Sequence, residues 1–240
     1  MSEPALLAVA HGSADPRAEQ VLDALIARVR SERPGLVAVL AHLGFSDPDV
    51  PTALNSLAQQ GFREVVVVPL LLSSAYHATV DLPVALANAA LDHPGLAIRQ
   101  TPVLGPHPLL FDLLRRRLAE ARVEPGASVV LGAVGTSDAT VNAELADVAA
   151  TIGATIGFAS GTPAIADVVA GLRARGDRQI AVATYVIAPG QLADRFYDAG
   201  ADVVTDVLGA APELVDLVLR RYGVAQSAAP ANAWPTRTGL

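Results

Sequence analysis

The chain has 240 residues, 52% of them apolar, which is enough for one large α/β domain or two domains of ordinary size. Its formal net charge of -7 argues against a nucleic-acid backbone as the main partner, because phosphate binding needs a cationic surface. There is no cysteine and no lysine, so disulfides, thiolate metal sites, thiol nucleophiles, Schiff-base chemistry and a Walker-A lysine are all excluded.

The N-terminal "MSEPALLAVAHG" lacks a basic n-region, and its apolar run is too short for a signal peptide. No run of about twenty apolar residues occurs, so no membrane span is expected and a soluble, cytoplasmic protein is the reading. "ALLAVA" (5–10) has no polar alternation and reads as a fully buried strand. It runs straight into His11 and a Gly-Ser turn. Asp15 then serves as N-cap, with Pro16 at the first helical position and apolar residues at 21, 22, 25, 26 and 29 forming one face. Pro34-Gly35 ends this helix. "LVAVLAHLGF" (36–45) is a second strand, "VPTALNSLAQQG" (50–61) a helix and "EVVVVPLLL" (64–72) a third strand. A helix over about 79–91, a strand in "LAIRQTPVL" and a helix after "GPHP" follow. Alternating strands and helices predict an α/β fold with parallel strands, right-handed crossovers and helices on both faces.

The pattern then starts again. "AVGTSDATVNAEL" (133–145) parallels "AHGSADPRAEQVL" (10–22), and "GDRQIAVATYVIAPG" (176–190) parallels "GFREVVVVPLLLSSA" (61–75). "VLGAAPELVDLVLRRY" (207–222) parallels "VLGPHPLLFDLLRRRL" (103–118). Three blocks in one order indicate a tandem duplication. The boundary is expected in "EARVEPGAS", giving units over 1–124 and 125–223. The Ala/Pro-rich remainder, 224–240, is expected to be disordered. His11, His77 and His107 face Val134, about Leu192 and Ala211 in the second copy. The copy keeps the scaffold and loses these histidines, which argues for one working site in the N-terminal unit.

Open parallel sheets bind ligands beyond the carboxyl ends of their strands, where strand order reverses. With the order 2-1-3-4, His11 after strand 1 and His77 after strand 3 converge there. Neutral imidazoles suit Fe2+, Co2+, Ni2+ and Zn2+, and two alone leave coordination positions open, as a site that hands its metal on requires. The competing structural reading is that a strand-end histidine caps a neighbouring helix. His107 in "GPHP" fits loop orientation, His42 a core or surface position, and His93 a turn.

"AHGSADPRA", "VPLLLSSAYHATVDLP" and "VLGPHPLL", in that order and spacing, resemble the sirohydrochlorin chelatase family of class II tetrapyrrole chelatases. The degenerate second copy resembles the family's long, internally duplicated form, and the likeness covers about residues 5–222. It implies two similar chelatase-like, flavodoxin-type domains, each a four-stranded parallel sheet, facing each other across a cleft. The first, 1–124, would carry the active site. It implies ATP-independent insertion of Fe2+ or Co2+, with Ni2+ also admissible, into sirohydrochlorin for siroheme or cobalamin, the metal being substrate and no cofactor permanently bound. His11 and His77 match the family's metal-binding and catalytic histidines. The tetrapyrrole substrate carries eight carboxylates, for which Ser13, Arg17, Ser73 and Ser74 are the candidate donors, and Tyr76 is a candidate to pack on the ring face. The family often places an acidic residue at the end of strand 2; here Gly44 occupies that position, with His42 or Asp47 as candidate substitutes. A monomer is the simpler expectation, since a duplicated chain supplies both walls of a cleft.

Other chemistries fit less well. A histidine phosphatase needs Arg before the strand-end His, and residue 10 is Ala. Ser13 lacks the G-x-S-x-G elbow, and no G-x-G-x-x-G follows the first strand. The serious alternative is a non-catalytic metal or tetrapyrrole carrier on a chelatase scaffold, which Gly44 would favour.

Overall fold

The computed structural model describes residues 3–227. The first half runs β1 (Ala5–Ala10), α1 (Pro16–Glu32), β2 (Ala38–His42), α2 (Val50–Gln59) and β3 (Glu64–Pro69). A π-helical turn (His77–Asp81) then leads into α3 (Leu82–Asp92), followed by β4 (Ala97–Gln100) and α4 (Pro108–Glu120). The second half repeats the plan with β5 (Ser128–Ala133), α5 (Ala139–Thr151), β6 (Thr155–Phe158), α6 (Ile165–Ala174) and β7 (Ile180–Thr184). It ends with α7 (Gln191–Tyr197), β8 (Val203–Val204) and α8 (Pro212–Ser227). The strands form two four-stranded parallel sheets with matching orders, β2-β1-β3-β4 and β6-β5-β7-β8. The architecture is α/β, with helices on both faces of each sheet.

Local chemistry accounts for the element starts. Asp15 accepts from the Arg17 N–H at 2.9 Å and caps α1, while Asp138 accepts from the Thr140 N–H at 2.8 Å and caps α5 at the equivalent point. The strands are shorter than the apolar runs that announced them. β2 stops at His42, and β3 at Pro69, although the Leu70 N–H still reaches the Val9 carbonyl at 2.7 Å. Leu70 to Leu72 therefore leave the sheet and carry the chain toward His77. The helix expected from about residue 79 is preceded by the π-helical turn, so helical structure starts at His77.

β1 is buried on both faces, which explains its unbroken apolar run. Leu6, Ala8 and Ala10 pack in one cluster with residues of α1 and α8. Ala5, Leu7 and Val9 pack in another with residues of α2 and α3. The terminal helices of the two halves are exchanged. α8, from the second half, packs on β3 and α1 of the first, whereas α4 packs on β7 of the second. Arg116 of α4 holds Glu213 of α8 through two 2.7 Å hydrogen bonds, and the Tyr222 hydroxyl donates to the Pro4 carbonyl at 2.6 Å.

Residues 224–227 belong to α8, which corrects the expectation that an unstructured tail begins at 224. The helix is held there by Arg99 of β4, which donates to the Ala225 carbonyl at 3.0 Å, and by Ala225 packing against the core. The rest of that expected tail, 228–240, lies outside the described residues. No described helix is long and apolar enough to cross a membrane.

Candidate functional site

β1 delivers His11 at its carboxyl end, and the chain turns at once through Gly12 with φ +88°. The turn closes so tightly on the end of β2 that an added Cβ at Gly12 would lie 1.6 Å from the Gly44 carbonyl oxygen. Only glycine satisfies both demands. The two loops are tied by the Gly44 N–H donating to the His11 carbonyl at 3.1 Å and by the Ser46 hydroxyl donating to the Ser13 carbonyl at 3.1 Å. His77 arrives from the other side of the strand-order reversal, on the extension after β3. The π-helical turn closes with the Leu82 N–H on the His77 carbonyl. Such turns often occur at functional sites.

The two imidazoles meet. Their Nε2 atoms are 3.1 Å apart, and the rings stand nearly perpendicular, 77°, at a centroid separation of 4.3 Å. Each ring's other nitrogen is already committed. His77 Nδ1 donates to the Asp81 carboxylate at 2.6 Å, and His11 Nδ1 donates to the Gly12 carbonyl at 3.1 Å. A carbonyl or carboxylate oxygen accepts only, so in the neutral rings the hydrogens sit on Nδ1. Both Nε2 lone pairs then point into the same gap. Two facing lone pairs repel unless a cation lies between them. A metal–imidazole bond of about 2.1 Å with the two ligands at a right angle puts the nitrogens about 3.0 Å apart. The gap therefore has the dimensions of a cis bis-imidazole metal site.

Two aromatic rings flank the pair. Tyr76 is 63% exposed and stands edge-on to His77, with centroids 6.2 Å apart. Phe45 lies beside His11, its ring within 25° of parallel at 5.7 Å. Ser13 uses its hydroxyl to accept from the Asp15 N–H at 3.0 Å and so shapes the turn after His11. Ser73 is half-buried and Ser74 exposed in the segment between β3 and His77. Arg17 sits on the first turn of α1 and bridges the two lobes. It contacts Asp15 at 2.5 Å and Asp194 of α7 at 2.6 Å. Those two carboxylates, Asp15 first, raise the guanidinium's pKa further, and Arg17 in turn holds the Asp15 carboxyl below the ordinary range.

The remaining histidines lie elsewhere. His42 is fully buried on the α1 side of β2, with Nε2 3.3 Å from a Glu19 carboxylate oxygen but neither ring nitrogen in a hydrogen bond. His107 caps α4, its Nδ1 accepting from the Leu109 N–H at 3.2 Å. Burial, followed by the charges of Arg221 and Arg220, pushes its pKa down. His93 ends α3 at the opposite end of the strands, beside Arg63. Asp47 is exposed on the loop after β2. Among the described residues no third His, Asp, Glu or Cys completes a metal-ligand cluster. Sequence reasoning missed Asp81, although its i,i+4 spacing from His77 within a helical run was a readable signal. It also missed Phe45, for which the sequence offers no signal, because the loop conformation decides where that ring stands.

The CbiX family model matches residues 5–121. The chain is 29% identical over 134 residues to the chloroplastic sirohydrochlorin ferrochelatase of Arabidopsis thaliana, covering 55% of this chain and 60% of that protein. It is 30% identical over 131 residues to the sirohydrochlorin cobaltochelatase of Methanothermobacter thermautotrophicus, covering 48% of this chain and 91% of that protein. The chain belongs to the sirohydrochlorin chelatase family. The family model stops at residue 121, and the fold extends the likeness through the second half. The solved structure of SirB from Bacillus subtilis with Fe3+ superposes with a TM-score of 0.82 at 22% identity, over 94% of this chain and 96% of that one. Against the plant chelatase, by contrast, the chain spans less than two thirds of its relative's length.

Proposed function

We propose that this protein inserts a divalent metal, Fe2+ or Co2+ with Ni2+ also compatible, into sirohydrochlorin without ATP. The observation that carries the reading is the 3.1 Å gap between two Nε2 atoms whose Nδ1 partners leave both lone pairs facing it. Borderline divalent ions suit imidazole nitrogen. The relatives' names add support, since one is a ferrochelatase and another a cobaltochelatase.

In this reading the metal is a substrate, held by His11 and His77 with its other positions open to water and then to pyrrole nitrogen. Metallation exchanges two pyrrole N–H protons for one dication. As the metal transfers, both Nε2 lone pairs become free and lie next to the departing protons, so each imidazole takes one. The Asp81 carboxylate stabilises the imidazolium that forms on His77. Two imidazolium rings so close together repel, and loss of their protons to water resets the site. Two ligands from the protein, with no acidic residue at Gly44, hold the metal less tightly than a complete cage, which favours release into the ring. Ser13, Ser73 and Ser74 supply polar contacts to the substrate's carboxylates, whereas Arg17, held by Asp15 and Asp194, would serve them only by giving up one of those pairs. A single chain supplies both lobes, tied through Arg17 and Asp194, which supports a monomer as the working unit.

The test mixes protein with excess Co2+ or Fe2+ and sirohydrochlorin and follows the visible spectrum. Many turnovers per protein are expected, and the His11→Ala, His77→Ala double variant should lose about 10²-fold or more. One stoichiometric spectral shift would instead identify a carrier. Full-speed metallation by the double variant would end the proposal.

A further inference from the structure

Phe45 combines three properties that do not normally occur together. It has a left-handed backbone, φ 64°, in a residue with a bulky side chain. It is 77% exposed, the most exposed of the large hydrophobics among the described residues. And its loop is not loose: Leu43 and Gly44 donate to the carbonyls of Ala10 and His11, Ser46 N–H donates to Gly44 at 2.8 Å, and Ser46 is pinned to Ser13. A rigid loop thus holds a strained residue with its apolar ring in water, beside the His11 imidazole. Neither packing within the chain nor loop flexibility accounts for it. Strain at such a position is tolerated where the ring has something to meet.

We infer that Phe45 is a positioning residue for the tetrapyrrole, an aromatic wall against which the macrocycle settles over the two Nε2 atoms; the inference rests on the chelatase reading above. A metal-bound imidazole directs its lone pair within its own ring plane, so a macrocycle receiving that metal lies across this direction. A phenyl ring nearly parallel to His11 then presents its edge to the macrocycle's π face. Edge-to-face contact is a preferred aromatic geometry, with the electropositive edge against the electron-rich face. Tyr76, on the His77 side, supplies a second ring, so the two bracket the pair and favour a flat aromatic ligand. The wall is specific to the first half. The second copy has Ser-Gly, Ser160 and Gly161, in the corresponding turn after β6.

Asn and Gly adopt the left-handed region readily, so Phe45→Asn and Phe45→Gly relieve strain while removing the ring. Both variants should melt at or above the wild-type temperature. Co2+ binding in the absence of tetrapyrrole, read from the cobalt absorption bands, should stay within about twofold. Binding of metal-free sirohydrochlorin, read by fluorescence titration, should weaken about tenfold, and Phe45→Tyr should restore it. Wild-type affinity for sirohydrochlorin in the Asn and Gly variants would overturn the inference and leave the chelatase reading standing. Failure of the wild type itself to bind sirohydrochlorin would overturn both. Loss of Co2+ binding in the Asn and Gly variants would show that Phe45 acts on the metal pair instead, and would also overturn the inference.

Discussion

The site depends on which nitrogen of each imidazole carries hydrogen, and that is set by two oxygen atoms. Asp81 is the stronger of the two determinants, because a carboxylate 2.6 Å from Nδ1 forms a charge-assisted hydrogen bond. Without it, His77 is free to place its hydrogen on Nε2 and lose its ligand lone pair. Asp81→Ala should therefore weaken Co2+ binding by about 10–100-fold, measured by titration of the cobalt absorption bands. Asp81→Asn keeps an accepting oxygen and should fall between the two. Equal affinity in all three proteins would remove Asp81 from the mechanism. His11 and His77 were legible because each follows a strand-like run, His11 directly and His77 on the extension beyond it, and strand order brings such ends together. Asp81 was legible only by its spacing. Arg17 was read as a donor to substrate, and its spacing gave no hint of Asp194, which is 177 residues away.

At the scale of elements, helix starts were the best-read features, since a cap is a local event. Asp15 and Pro16 act within three residues of the helix they begin, and the helix after "GPHP" starts where expected, although His107, expected to orient a loop, is its cap. Strand lengths were overread, because apolar residues continue past the last ladder bond wherever the chain stays buried, as at Leu70. The His107 cap also carries a pH dependence. Burial lowers its pKa in the folded protein below the ordinary value of 6.5. The unfolded chain therefore binds the proton more readily. Stability from this group is full above pH 6.5 and declines as pH falls below it. Protonation also takes Nδ1 away from the Leu109 N–H. His107→Asn retains a capping oxygen, so at pH 7.5 its stability should lie within about 1 kcal/mol of wild type. Between pH 7.5 and 5.5 its urea midpoint should fall less than that of wild type. Parallel declines in the two proteins would show that His107 does not contribute.

At the scale of the whole molecule, the exchange of α4 and α8 makes the two halves interdependent. Leu214, Val215, Leu217, Val218 and Tyr222 of α8 are all buried, in the core that α8 shares with β3, α1 and α4. At roughly 1.5–3 kcal/mol per buried side chain, this one helix contributes gross burial on the order of 10 kcal/mol. A whole domain's net stability is about 5–15 kcal/mol. A fragment of residues 1–124 loses that cover and leaves β3 open on one face. It should lack near-UV circular dichroism and bind a hydrophobic dye, whereas the full chain unfolds cooperatively. In the intact chain, Tyr222→Ala should cost about 3–5 kcal/mol by urea denaturation, because it opens a cavity and removes the hydrogen bond to Pro4. A stably folded fragment would show that the exchange is incidental to stability.

What the sequence by itself determined is whatever depends on near neighbours and on pattern. That covers the alternation of strands and helices, the duplication, the capped helix starts and the loss of His11, His77 and His107 from the second copy. The repeat also made the helix exchange unreadable. "VLGPHPLLFDLLRRRL" and "VLGAAPELVDLVLRRY" present nearly the same apolar face, so either helix suits either sheet. Only the tertiary structure decided which sheet each covers, and the short 121–127 connection from α4 to β5 leaves α4 beside the second sheet. It also decided the hydrogen-bonded tautomers at the histidine pair, the Arg17 bridge and the outward ring of Phe45. Those depend on angles and on contacts between residues far apart in the chain, which neither composition nor periodicity encodes.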